Sequence, residues 1–141
     1  MPKTILLPID MSDEASWRKS LAEALTLLHD GGVLHVATVL PDFGLVQVSG
    51  FFSKDFEREA LHQMGVELTE WVNAHVPREV EVHPHVLHGK IYDEILRAAD
   101  KLGADVIVMG SHRPEFKDYL LGPNAARVMR HARQSVYIVR N

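Results

Sequence analysis

Short, nearly unbroken apolar runs alternate along this chain with longer segments of helical periodicity, and that alternation limits its fold more than any other feature. Ile5-Leu6-Leu7-Pro8-Ile9 is apolar throughout, and Asp105-Val106-Ile107-Val108-Met109 is apolar at its last four positions. A strand with one wet face alternates apolar and polar residues, whereas a strand that is apolar throughout needs cover on both faces. That is the situation of a parallel strand between two layers of helices. Val33 to Leu40 reads as a second such strand, ended by Pro41, and Ser135 to Arg140 as the last. Val80 to Leu87 alternates only in part and contains Pro84, which cannot donate to a ladder, so it suits the sheet margin.

Between these runs the apolar residues recur every three or four positions. Trp17, Leu21, Leu25 and Leu28 form one stripe, with Ser12 placed to cap the helix and Gly31-Gly32 to stop it. Phe56, Ala60, Met64, Leu68 and Trp71 mark a long helix from Lys54 to His75 that Pro77 terminates, preceded by a connection from Asp42 to Ser53. Gly89 opens a third helix, with Ile91, Ile95, Ala98 and Leu102 on one face and Gly103 at its end. Gly122-Pro123-Asn124 opens a fourth, which offers Ala125, Val128, Met129 and Ala132 for packing. Strand and helix alternate without a linker or a break in composition. The expected fold is therefore one domain over residues 1–141, an open, doubly wound α/β sheet.

Composition excludes several classes of function. Lys plus Arg number 15 and Asp plus Glu 19, so the net charge is 15 − 19 = −4. No basic cluster supplies a field for nucleic acid or an anionic membrane surface, and neither is expected as a partner. Cysteine is absent, which removes thiol catalysis, disulfides and Cys-type metal sites. The N-terminal apolar run is too short for a secretion signal, and no window reaches the roughly 20 apolar residues that span a bilayer. A cytoplasmic protein without membrane insertion is expected.

In a doubly wound sheet, ligands bind beyond the carboxyl ends of the strands, where the strand order reverses. Asp10, Val39 and Gly110 are expected at those ends. Gly110-Ser111-His112-Arg113 leaves a strand and returns through Gly122 to a helix start, where free backbone N–H groups suit phosphate. An ordinary surface loop is the alternative. Neither Gly-x-x-x-x-Gly-Lys-Ser/Thr nor Gly-x-Gly-x-x-Gly occurs. Ser111 and His112 are adjacent on an extended chain and point apart, so they form no nucleophile and base. His83 and His85 share a strand face at a spacing that permits two metal ligands, with His88 nearby. No carboxylate accompanies them in this reading, which leaves solvated histidines on an edge strand; His35 reads as a sheet-face residue.

Ile5-Leu6-Leu7-Pro8-Ile9-Asp10, Gly110-Ser111-His112-Arg113-Pro114 and Tyr119-Leu120-Leu121-Gly122-Pro123-Asn124-Ala125-Ala126, followed by Arg130-His131-Ala132 and the final strand, resemble the universal stress protein family over the whole chain. The C-terminal third is the specific part, and its form is most similar to the enterobacterial F and G subgroup, whose members bind ATP. The resemblance implies a five-stranded parallel sheet in the order 3-2-1-4-5. It also implies an adenine-nucleotide site in which Pro8, Ile9 and Asp10 border adenine and ribose and Val39 packs on adenine. Met109, Gly110, His112 and Arg113 would approach ribose and phosphates, and Gly122, Pro123, Asn124 and Ala125 would complete the phosphate site. ATP is the implied ligand, with AMP or ADP open and Asp10 a candidate Mg2+ contact.

This chain departs from the family pattern Gly-x-x-Gly-x9-Gly-Ser/Thr in two ways: the second glycine is missing in a loop one residue shorter, and Pro123 stands where Ser or Thr is usual. Pro123 removes a hydroxyl and an N–H from the expected phosphate site. The resemblance further implies a non-catalytic regulator that forms a homodimer through strand 135–140, with a tetramer open. Its alternatives are a member that has lost nucleotide and docks on a transporter or another regulatory partner, and a slow ATPase.

Overall fold

The computed structural model describes residues 3–28, 31–41, 50–111 and 123–140, with the main chain alone at 50–54. The elements are β1 (Thr4–Pro8), α1 (Glu14–Leu27), β2 (Val33–Pro41), α2 (Gly50–His75), β3 (Glu81–Gly89), α3 (Ile91–Leu102), β4 (Val106–Gly110), α4 (Pro123–His131) and β5 (Ser135–Val139). All neighbouring strands are parallel, and the sheet order is β3-β2-β1-β4-β5, as the family resemblance implied.

The consecutive apolar residues divide between two cores. Ile5 and Leu7 of β1, Leu34 and Val36 of β2, and Val108 of β4 point to one face. There Trp17, Leu21 and Ala24 of α1 and Leu68, Trp71 and Val72 of α2 cover them. Leu6, Ala37, Ile107 and Met109 point the other way, onto Ile95, Ala98 and Ala99 of α3 and Ala125 and Val128 of α4. Trp17 and Trp71 meet edge to face, with ring centroids 5.2 Å apart, and lock α1 against α2. Arg127 of α4 lies over the Tyr92 ring of α3, 4.9 Å from its centre.

Several boundaries differ from the sequence expectation, each for a local reason. Asp13, not Ser12, caps α1: its extended backbone places the carboxylate to accept the Ala15 N–H at 3.2 Å. The same helix ends at Leu27 rather than running to Gly31-Gly32, because Leu28 already turns extended. Pro41 belongs to β2 instead of ending it. β2 and β3 pair as far as Pro41 and Gly89, so Gly89 closes a strand and does not open α3. α2 already begins at Gly50, inside the expected connection, whose residues 42–49 lie outside the described ones. β4 begins at Val106 and includes Gly110, since Asp105 turns aside to accept the Thr4 N–H at 2.8 Å. β5 ends at Val139. Phe56 and Met129, expected on buried stripes, are 60% and 50% exposed because each lies on the outer side of its helix. Gly103 ends α3 as expected, at φ 67°, with its N–H on the Ala99 and Asp100 carbonyls.

Gly110 has a packing role that its sequence context conceals. A Cβ at this position would stand 2.7 Å from the backbone oxygen of Ser16, so α1 crosses β4 at a distance only glycine allows. Gly110→Ala should therefore force α1 outward and cost about 1–3 kcal/mol, the usual range for overpacking. Urea unfolding should show a lower midpoint; an unchanged midpoint would contradict this contact.

Candidate functional site

A cavity of about 460 Å³ opens at the carboxyl ends of β1, β2 and β4, where β1 separates the half of the sheet built outward through β2 from the half built through β4. Chain order reverses there, so α1 leaves β1 on one face and α4 leaves the neighbouring β4 on the other, and the cavity opens between them. Pro8, Ile9, Asp10, Val39, Met109, Gly110, Asn124 and Ala125, all expected from sequence, line it together. Pro123 does not: as the first residue of α4 it faces solvent, one position before the lining begins. His112, Arg113 and Gly122 lie outside the described residues.

The lining also includes residues that spacing alone did not single out. Thr38 and Pro41 come from β2, Met64 and Glu67 from α2, Ile91 and Ile95 from α3, and Ser16 from α1. α2 reaches the cavity because it begins well before the sheet edge, and only the three-dimensional path of a 26-residue helix reveals that. Apolar side chains of Val39, Ile91, Ile95 and Met109 make one wall, whereas Ser12, Ser16, Ser111 and Asn124 supply polar groups. The charged residues of the described lining are Asp10, Asp13 and Glu67, all acidic.

The turn after β1 is held by reciprocal hydrogen bonds. Ser16 Oγ accepts from the Asp10 N–H at 3.2 Å and donates to the Asp10 carbonyl at 3.1 Å. Asp10 Oδ1 accepts from both the N–H and the hydroxyl of Ser12, at 3.0 and 2.6 Å. One carboxylate oxygen thus braces the turn, which fixes where Asp10 faces the cavity. Among the described residues no three His, Asp or Glu side chains form a ready cation cage.

The fold and the position of this cavity are those of a doubly wound α/β protein, and comparison with known proteins gives the family. The model of the universal stress protein family matches residues 1–140, and the chain belongs to that family. It is 34% identical over 142 residues to universal stress protein G of Escherichia coli O157:H7, covering 99% of this chain and 100% of the relative. Among solved structures, a universal stress protein in complex with cAMP superposes with a TM-score of 0.69 at 19% identity, covering 99% of this chain and 97% of the other. An Arabidopsis thaliana member with AMP bound superposes at 0.66 and 15% identity, covering 99% and 92%. These two likenesses show the fold.

The histidines expected as solvated edge residues are arranged differently. His83 and His85 share a face of β3, but His88 lies on the opposite one, with Nδ1 3.4 Å from Glu57 of α2. His35 of β2 pairs in register with His83, and its Nδ1 stands 2.8 Å from Nε2 of His85. His83 in turn has Nε2 2.8 Å from Glu81 Oε2, the carboxylate that sequence spacing overlooked. Burial, then the neighbouring imidazoles, push His35 and His85 below the usual histidine value of 6.5, while Glu81 opposes this weakly at His35.

Both groups therefore bind protons less readily folded than unfolded. Their contribution to stability is complete above 6.5 and is lost as pH falls from there through the lowered folded values. Acidification below about pH 6.5 should lower the urea midpoint, and a His35→Gln, His85→Gln double variant should flatten that fall. An identical acid dependence in the two proteins would assign it to other groups.

Proposed function

We propose that the cavity binds an adenine nucleotide and that the protein is a non-catalytic regulator whose ligand biases assembly or partner choice. The observation that supports this most is the convergence, above β1, of an apolar wall for a planar base with the start of α4. Val39, Ile95 and Met109 offer the wall; Asn124 and Ala125 bring N–H groups of a helix start, which have no acceptor within their own helix and favour anions. Relatives of the same fold solved with cAMP and with AMP favour adenine over other bases.

The acidic lining sets a condition on the phosphates. Asp10, Asp13 and Glu67 repel a triphosphate, so cations must come from His112 and Arg113 or from a bound divalent ion. Carboxylate and hydroxyl oxygens are suitable donors for Mg2+, and the ligand's own phosphates would complete its coordination. Mg2+ would neutralise phosphate charge there, and Asp10, already braced by Ser12, would hold it. Asn124 then carries much of the polar recognition, because Pro123 brings neither hydroxyl nor N–H.

Calorimetry with ATP and AMP, with and without MgCl2, tests the reading, together with mass spectrometry of ligand released from the purified protein. Asn124→Ala should weaken binding by about tenfold or more, the loss expected for one hydrogen bond to a charged group. Absence of heat at millimolar ATP in either condition, with no adenine nucleotide released, would reject it in favour of a nucleotide-free interaction protein. Steady phosphate release would instead indicate a slow ATPase.

A second copy of the chain is the proposed assembly partner, joined through strand 135–140. β5 lies at the sheet margin, paired with β4 on one side, and Tyr137 on it is 39% exposed. Such an edge favours antiparallel pairing about a two-fold axis. Val136 and Ile138 pack on the second core, so Tyr137 is the better position to perturb. Tyr137→Lys should convert the dimer to monomer by light scattering. A monomeric wild type, or a dimer that survives the substitution, would exclude this interface.

A further inference from the structure

We propose that His35, His83 and His85 form a binding site for a divalent transition-metal ion on the open face of the β2–β3 margin. The site is separate from the cavity: no residue of β3 lines the cavity, and on β2 its lining begins only at Thr38. Two histidines two positions apart on one strand, with a third in register on its neighbour, project from the same face of the sheet. Parallel pairing sets the His35 and His83 rings 5.3 Å apart and those of His35 and His85 5.0 Å apart.

The nitrogen positions supply the chemical argument. Two imidazole nitrogens bound to one ion at about 2.0–2.1 Å, at angles between square and tetrahedral, are about 2.9–3.4 Å apart. His35 Nδ1 and His85 Nε2 stand 2.8 Å apart, already near that spacing. His83 has its Nε2 on Glu81, which leaves Nδ1 as the ligand atom. A carboxylate on the second ring nitrogen is the usual support of a metal-bound histidine. Among the described residues no group of three such side chains is placed to hold a metal ion as it stands, so His83 must turn, its exposed Glu81 partner moving with it, to complete the set. Its side chain is 49% exposed and has room to do so.

An all-imidazole donor set selects Zn2+, Cu2+ or Ni2+ over the hard cations Mg2+ and Ca2+. Three ligands on an open face leave a fourth position for water. His88, on the other face of β3, takes no part and serves as an internal control.

The test uses the full chain without a histidine tag. Calorimetric titration with ZnCl2 should show one site, and the Cu2+ form should show nitrogen hyperfine splitting in its paramagnetic resonance spectrum. His35→Gln, His85→Gln and His83→Gln should each weaken Zn2+ binding by about tenfold or more, whereas His88→Gln should leave it unchanged. Circular dichroism checks the fold of each variant. Imidazole resonances of the wild type give a readout that needs no variant: Zn2+ should shift those of His35 and His85, and Mg2+ should not. Binding no tighter in the wild type than in the His35→Gln, His85→Gln double variant, or unshifted resonances, would overturn the proposal and leave the pair as a plain hydrogen bond.

Discussion

The structure is organised around the burial of β1 on four sides. Ile5, Leu6 and Leu7 are fully buried: β2 and β4 pair with the edges of their strand, while α1 and α2 cover one face and α3 and α4 the other. Each side chain so buried is worth about 1.5–3 kcal/mol relative to exposure, and the alternation of faces distributes that gain over both helix layers. Because the chain starts in the middle of the sheet, it builds outward through β2 and β3, then crosses back to add β4 and β5 on the other side. Helices α1 and α4 therefore leave the adjacent strands β1 and β4 on opposite faces, and a cleft opens between their starts. The cavity is thus a consequence of the topology that buries the strand beneath it.

Packing and site are coupled at one point of this arrangement. Ser16 ties its hydroxyl to both backbone groups of Asp10 and presents its own carbonyl to Gly110. The first turn of α1 therefore fixes the ends of β1 and β4 relative to each other. From sequence, Gly110 looked like an opening for a ligand's approach. The structure shows that α1 occupies its Cβ direction, so the absent side chain serves the helix before it serves any ligand. Glycine's meaning at a position depends on what lies across from it, and a neighbour 94 residues earlier is invisible to local reading.

Much of the fold was legible because it follows from short-range patterns. A two-faced apolar run demands two layers of cover, and stripes repeating every three or four residues demand a helix. The strand order came from the motifs of the C-terminal third, through family resemblance, since periodicity alone does not rank strands within a sheet. Boundaries were read less well. Asp13 and Ser12 are both competent caps, and only the backbone angles decide which one turns toward the first N–H groups of α1.

By itself, then, the sequence determined the class of fold, the margin position of the proline-bearing strand, and eight of the nineteen described residues that line the cavity above β1. The first two depend on residue type and spacing along the chain, whereas most of the cavity residues came through the family resemblance. The tertiary structure decided what depends on distance between segments: that α2 contributes Met64 and Glu67 to the cavity, that the described lining is acidic, and that Pro123 stands off it. It also decided which histidines are neighbours. Spacing groups His83, His85 and His88, but alternation along β3 sends His88 to the other face, while parallel pairing brings His35 from 48 residues away into register with His83. Side-chain direction in a strand is a local property that reverses at every residue; partnership across a sheet is a property of register, which only the assembled fold supplies.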